Sequence, residues 1–230
     1  MANGMRSAAS LGARFVAAAA LAALVSGCIA TYTVRQRPVR GDEPAVLAGK
    51  EALVFGRILI YRNGGRYPPA NGPQPEIYLT PPDYRRSDGL VIEPPVDIDS
   101  DGYFQMIAPL GRYGLVVHWS PHGPTPWRHR YQWLIIDPAV TLNLTAARCI
   151  AYVGTLRINL ASGRERDLRR WPLNYRLLER QVTYDYSRAR ARLVAQSPQN
   201  SALPMATSLF RLAAGRKPSV EFHAPSMFGF

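Results

Sequence analysis

Turn signals interrupt this chain so regularly that few segments have room to become helices. Asn63-Gly64-Gly65, Ser87-Asp88-Gly89, Asp99-Ser100-Asp101-Gly102 and Pro109-Leu110-Gly111-Arg112 each gather residues that tolerate positive φ or set a reversal. Between such turns lie short β-prone runs. Leu53, Phe55, Arg57, Leu59 and Tyr61 alternate with Val54, Gly56, Ile58 and Ile60, which predicts a long strand apolar on much of both faces. Further strands are predicted at Glu76–Thr80, Leu90–Glu93, Tyr103–Ala108, Tyr113–Trp119, Arg130–Ile136, Val140–Leu144, Arg148–Leu160 and Leu173–Thr183. Short strands separated by turn chemistry point to a mostly β domain, a sandwich or barrel. Hydrophobic residues make up 47% of the 230, enough for a packed core and too many for wholesale disorder.

One stretch reads as a helix. Asp185 suits an N-cap, Tyr186, Ala189, Leu193 and, less regularly, Val194 give a narrow apolar stripe, and Ser197-Pro198 ends it. From Ser201 to Phe230 periodicity is weak, which reads as a peripheral tail with room for a secondary helix at Ala206–Ala214.

The N-terminus has a different logic. Arg6 and Arg14 precede an eleven-residue run, Phe15 to Val25, built only of Phe, Val, Ala and Leu. That run is too short for a permanent bilayer-spanning helix but suits the apolar core of an export signal. It ends in Leu24-Val25-Ser26-Gly27-Cys28, which resembles a bacterial lipobox. Small residues let extended backbone enter a peptidase cleft, and the thiol is the nucleophile that accepts a diacylglyceryl group. The resemblance implies lipidation at Cys28, and two or three acyl chains, at about 0.8 kcal/mol per buried methylene, suffice as an anchor. By the same resemblance, Ile29 in place of an aspartate implies the outer membrane rather than the inner one. The segments are therefore expected as a leader (1–27), a lipidated tether (28–50), a β-sandwich (51–160), a strand-plus-helix appendage (161–198) and a peripheral tail (199–230).

Phe55-Gly56-Arg57, Asp99-Ser100-Asp101-Gly102-Tyr103-Phe104 and Pro109-Leu110-Gly111-Arg112-Tyr113 together resemble the carboxypeptidase regulatory-like, or prealbumin-like, antiparallel β-sandwich. The resemblance covers about residues 50–160. It implies an accessory or binding module with no catalytic residue and no cofactor. The chain departs from the pattern in its long Pro-rich loop at Tyr67–Pro75 and in the 70 or so residues that follow the sandwich.

Other constellations are weaker. Asp97, Asp99, Asp101 and Gly102 match half of a calcium loop, but the position that needs a bidentate Glu is Ala108, so turn capping is the expected role. His118, His122 and His129, with Trp119 and Trp127 between them, could hold zinc or copper, which makes a periplasmic ligand- or metal-binding protein the alternative reading. Cys149 sits alone in an apolar run and reads as a small buried hydrophobe rather than a nucleophile. With Cys28 acylated, two cysteines exclude a disulfide scaffold.

No serine elbow, zinc-protease helix, phosphate loop or dinucleotide fingerprint is present, which argues against those enzyme classes. The formal charge of +12 falls to +10 when Arg6 and Arg14 leave with the leader, favouring anionic envelope surfaces. Export disfavours nucleic acid. The most basic stretch, Arg164 to Arg192, mixes nine arginines with Trp171, Tyr175, Tyr184 and Tyr186; a solvated face paired with Glu165, Asp167, Glu179 and Asp185 is the plainer reading. The expectation is a lipid-anchored, non-catalytic envelope module that contacts the membrane through Cys28 and a protein, glycan or lipopolysaccharide partner.

Overall fold

The structure, a computed structural model, describes residues 32–39, 43–67, 74–83, 90–93, 95–119, 133–162 and 175–223. Residues 1–32 with 85–90 form one compact unit, of which Tyr32 and Leu90 are described. Residues 33–84 with 91–230 form the other, to which the two seven-stranded sheets and the helix belong.

The protein is mostly β: two antiparallel-rich sheets and one short C-terminal helix, a β-sandwich as the turn spacing predicts. The strands are β1 (Tyr32–Arg35), β2 (Arg37–Pro38), β3 (Glu51–Arg62), β4 (Gly65–Tyr67), β5 (Glu76–Thr80), β6 (Leu90–Glu93), β7 (Val96–Asp97), β8 (Tyr103–Pro109) and β9 (Gly111–Trp119). They continue as β10 (Trp133–Asp137), β11 (Val140–Leu144), β12 (Ile150–Ser162) and β13 (Tyr175–Thr183). Helix α1 (Tyr186–Gln196) follows, then β14 (Met205–Thr207), β15 (Arg211–Leu212) and β16 (Ser219–His223).

The first sheet runs β2-β8-β3-β12-β13, with β4 on β3 and β14 on β12. At its centre β3 and β12 pair in parallel, and β14 joins β12 in parallel; its other pairs are antiparallel. In the second sheet β9 lies between β5, on one side, and β10 with β11 on the other; β16 and β15 extend that side, β7 extends β5, and these pairs are antiparallel.

The two apolar faces of β3 find separate partners. Leu53 and Phe55 lie in a cluster with Tyr103, Ile107, Ile150 and Tyr152 that is roofed by Ala189 and Leu193 of α1. Ala52, Val54, Ile58 and Ile60, on the opposite face, are as fully buried, and with Ile77, Leu79, Leu115 and Val117 of the second sheet they make the interior between the sheets. A strand covered on both sides needs no polar face, which is why its sequence reads apolar throughout. Each such Val, Leu, Ile or Phe side chain contributes on the order of 1.5–3 kcal/mol by leaving water.

Helix α1 forms where local chemistry places it. The Asp185 carboxylate accepts the Arg188 N–H at 3.2 Å, and Ala189 and Leu193 are the buried stripe. Val194 is 45% exposed, so the stripe is narrower than the sequence suggested.

Two segments differ from expectation. The stretch expected to be a tether contains the strands Tyr32–Arg35 and Arg37–Pro38, and Gln36 between them is 1% exposed. Its side chain donates to the Ile77 carbonyl (3.2 Å) and accepts the Leu79 N–H (2.8 Å), so one amide completes the ladder along β5. The next residues pair with β8 of the first sheet, so this segment staples the two sheets along one edge.

The helix allowed at Ala206–Ala214 does not form. Met205–Thr207 instead pairs with Ile150–Tyr152, and Arg211–Leu212 pairs with β11. Unpaired sheet edges offered more hydrogen bonds than a short helix could make for itself, and tertiary pairing overrode propensity. The segment read as a peripheral tail therefore supplies three short strands at sheet edges.

Candidate functional site

The Asp99–Gly102 turn is densely bonded. One Asp99 carboxylate oxygen accepts the N–H groups of Asp101 (2.9 Å) and Tyr103 (2.8 Å), and Gly102 donates back to the Asp99 carbonyl (2.8 Å). Gly102 has φ +92°, and a Cβ there would strike the Ile58 carbonyl, so no other residue fits without displacing β3. The second Asp99 oxygen accepts Arg192 (3.2 Å) and Gln196 (2.7 Å), both on α1. Arg192 also pairs with Asp101 at 2.9 Å, Arg57 donates to the Asp101 carbonyl and Arg66 to the Ser100 carbonyl.

The Tyr103 ring has the Arg57 and Arg192 guanidiniums at 4.9 and 5.5 Å from its centroid. Three arginines thus clasp a turn carrying two carboxylates, and Arg192 with Gln196 ties α1 to that turn. Turn capping is the role of Asp99, as expected, and both its oxygens are occupied by protein donors. A cleft of about 610 Å³ opens beside the turn, lined by Val39, Val96, Ile98, Asp99, Tyr103 and Gln196 among others.

The lipidation candidate Cys28 lies outside the described residues. So do His122 and His129, which leaves His118 as the described member of the histidine loop. His118 is on β9 opposite Glu76, and its ring lies 4.5 Å from that of Tyr78. The Tyr78 hydroxyl donates to Glu76 at 2.9 Å; desolvation, then that carboxylate, push the phenol far above its usual range. Among the described residues no three His, Cys, Asp or Glu side chains gather as a metal site.

Cys149 is 4% exposed, and its thiol donates to the Ala146 carbonyl at 3.2 Å. Burial pushes the thiol above its usual range, and it packs as a small apolar group, as the apolar run implied.

The basic stretch divides into separate tasks. Arg164, Arg166, Arg169, Arg170 and Trp171 lie outside the described residues. Arg180 donates to the Pro138 carbonyl at 2.6 Å, Arg192 holds the turn, and Arg176, Arg188 and Arg190 are exposed. Tyr184 and Tyr186 gather around Tyr152 with ring centroids 5.6–6.1 Å apart, and Tyr175 is buried. Glu179 accepts from Asn159 at 2.8 Å.

The chain matches no protein family, no curated protein and no solved structure.

Sequence reasoning missed Gln36, Arg57 and Arg66, whose partners are remote in the chain and leave no local pattern. It also passed over Arg112 and Arg211, two exposed arginines whose side chains make no hydrogen bond or ion pair among the described residues.

Proposed function

We propose that this chain is an outer-membrane lipoprotein whose β-sandwich serves as a non-catalytic interaction or structural module of the cell envelope. The observation that carries the reading is the leader: two arginines, an eleven-residue apolar run and Leu24-Val25-Ser26-Gly27-Cys28 in immediate succession. After cleavage, Cys28 is the first residue and its acyl chains are the anchor; Ile29 directs the protein outward. The prealbumin-like resemblance of residues 50–160 supports a module that binds rather than reacts.

The N-terminal staple refines this reading. Gln36 lies eight residues after Cys28 (36 − 28 = 8). Extended chain spans at most about 3.5 Å per residue, so the lipid would hold the sandwich within roughly 28 Å of its anchor point. The module works at the bilayer surface rather than at the end of a long leash. No helix among the described residues is long and apolar enough to cross a membrane.

Mass spectrometry of the mature protein tests the anchor: an N-terminal Cys28 carrying diacylglycerol is expected. Cys28→Ser should move the protein from the membrane pellet to the soluble fraction. An unmodified Cys28, or a variant that still sediments as the parent does, defeats the reading.

A further inference from the structure

The C-terminal crossing between the sheets creates a second groove, and its lining has the chemistry of a binding site. On the outer face of the second sheet, Arg112 of β9 stands opposite Asn143 of β11, and two residues along β11 Thr141 stands opposite Arg211 of β15. The chain that leaves β14 brings Thr207 alongside. The resulting groove, about 730 Å³, is lined by Arg112, Thr141, Asn143, Thr145, Thr207 and Arg211 among others, and no carboxylate is in its wall among the described residues.

Arg112 and Arg211 are exposed, as Arg35, Arg148, Arg176 and Arg190 are, but of these they are the two that line the groove. Arg37 and Arg216 are held by carboxylates at 2.7 and 2.6 Å, Arg192 is held by two, and Arg57, Arg66 and Arg180 are held by backbone carbonyls. Arg112 and Arg211 have no such partner among the described residues. Neighbouring strands lie about 4.8 Å apart and alternate residues about 6.8 Å apart, which places the two arginine backbones roughly 12 Å from one another. Side chains of that length can converge on one anion between them. A guanidinium binds phosphate through paired N–H donors, and the hydroxyl and amide groups between the arginines can exchange hydrogen bonds with a polyol.

We propose that this groove binds a phosphorylated sugar, with its phosphate between Arg112 and Arg211 and its hydroxyls on Thr141, Asn143, Thr145 and Thr207. The proposal rests on the envelope reading for where such a ligand is met, and on the groove alone for its chemistry.

The test measures binding to the purified, acylated full-length mature protein in detergent. Three probes are compared: a bisphosphorylated glucosamine disaccharide, the same disaccharide without phosphate, and inorganic phosphate. The phosphorylated disaccharide is expected to bind at least tenfold more tightly than either of the others. Arg112→Gln and Arg211→Gln should each weaken it at least tenfold, and Asn143→Asp, which sets a carboxylate in the groove, should do the same. Arg176→Gln, an exposed arginine on β13, should change it less than twofold.

Equal affinity in the parent and the two groove-arginine variants overturns the site. An equal loss in Arg176→Gln overturns it in favour of diffuse charge, and equal binding of either comparison probe overturns the phosphosugar assignment. The N-terminal mass of the same preparation reports on the anchor independently, so the failure of one idea is not mistaken for failure of the other.

Discussion

The two edges of the sandwich are closed by opposite chemistry. On the N-terminal side a single buried amide, Gln36, makes hydrogen bonds to Ile77 and Leu79 of the second sheet while its chain pairs with β8 of the first. On the C-terminal side the chain passes from β14 to β15 with Phe210 3% exposed between the sheets, and its backbone N–H donates to the Val153 carbonyl at 2.9 Å. The amide closure is directional: it fits one register of β5, but each net hydrogen bond contributes only about 1 kcal/mol. The aromatic closure is non-directional, and burying a ring of that size stabilises by several times as much. One edge is specified by geometry and the other is held by area.

That contrast can be broken experimentally, and the largest effect should come from the aromatic side. Phe210→Ala is expected to lower unfolding free energy by about 3–5 kcal/mol in chemical denaturation, the usual cost of a buried phenylalanine and its cavity. A loss below about 1 kcal/mol would mean the crossing is not packed. Gln36→Ala strands the Ile77 carbonyl and the Leu79 N–H and should cost about 1–3 kcal/mol. It should also speed hydrogen exchange at the Leu79 and Val39 amides while leaving that at Phe210 near the parent's rate. Exchange that rises equally at both edges would show that they open together. Arg37→Met removes the half-exposed pair with Glu51 at the same N-terminal edge and should cost less than about 1 kcal/mol. A larger loss would move the N-terminal closure from the amide to the ion pair.

The electrostatic features follow the same division between local and remote. The Asp99 turn and the Asp185 cap were legible because the groups they bond lie within four residues in the chain. The seat of α1 on that turn was not, since Asp99 and Gln196 are 97 positions apart. Tethering was the natural reading of residues 28–50, because Gln36 donates to a carbonyl 41 residues away. The groove arginines were equally hidden: Arg112 and Arg211 come from β9 and β15, and only the pairing of both with β11 brings them to one face.

From sequence alone came the β character, most of the strands, the helix with its cap and the buried Cys149, which are all matters of periodicity, turn residues or local run. Tertiary structure alone decided that β3 and β12 lie parallel at the centre of a sheet, that β2, β14, β15 and β16 are drawn into the edges, and that two arginines without partners among the described residues line one groove. The reason is physical: hydrophobic alternation and turn chemistry act within a few residues, whereas the choice of neighbouring strand depends on which unpaired backbone and apolar surface is free once the rest of the chain has packed.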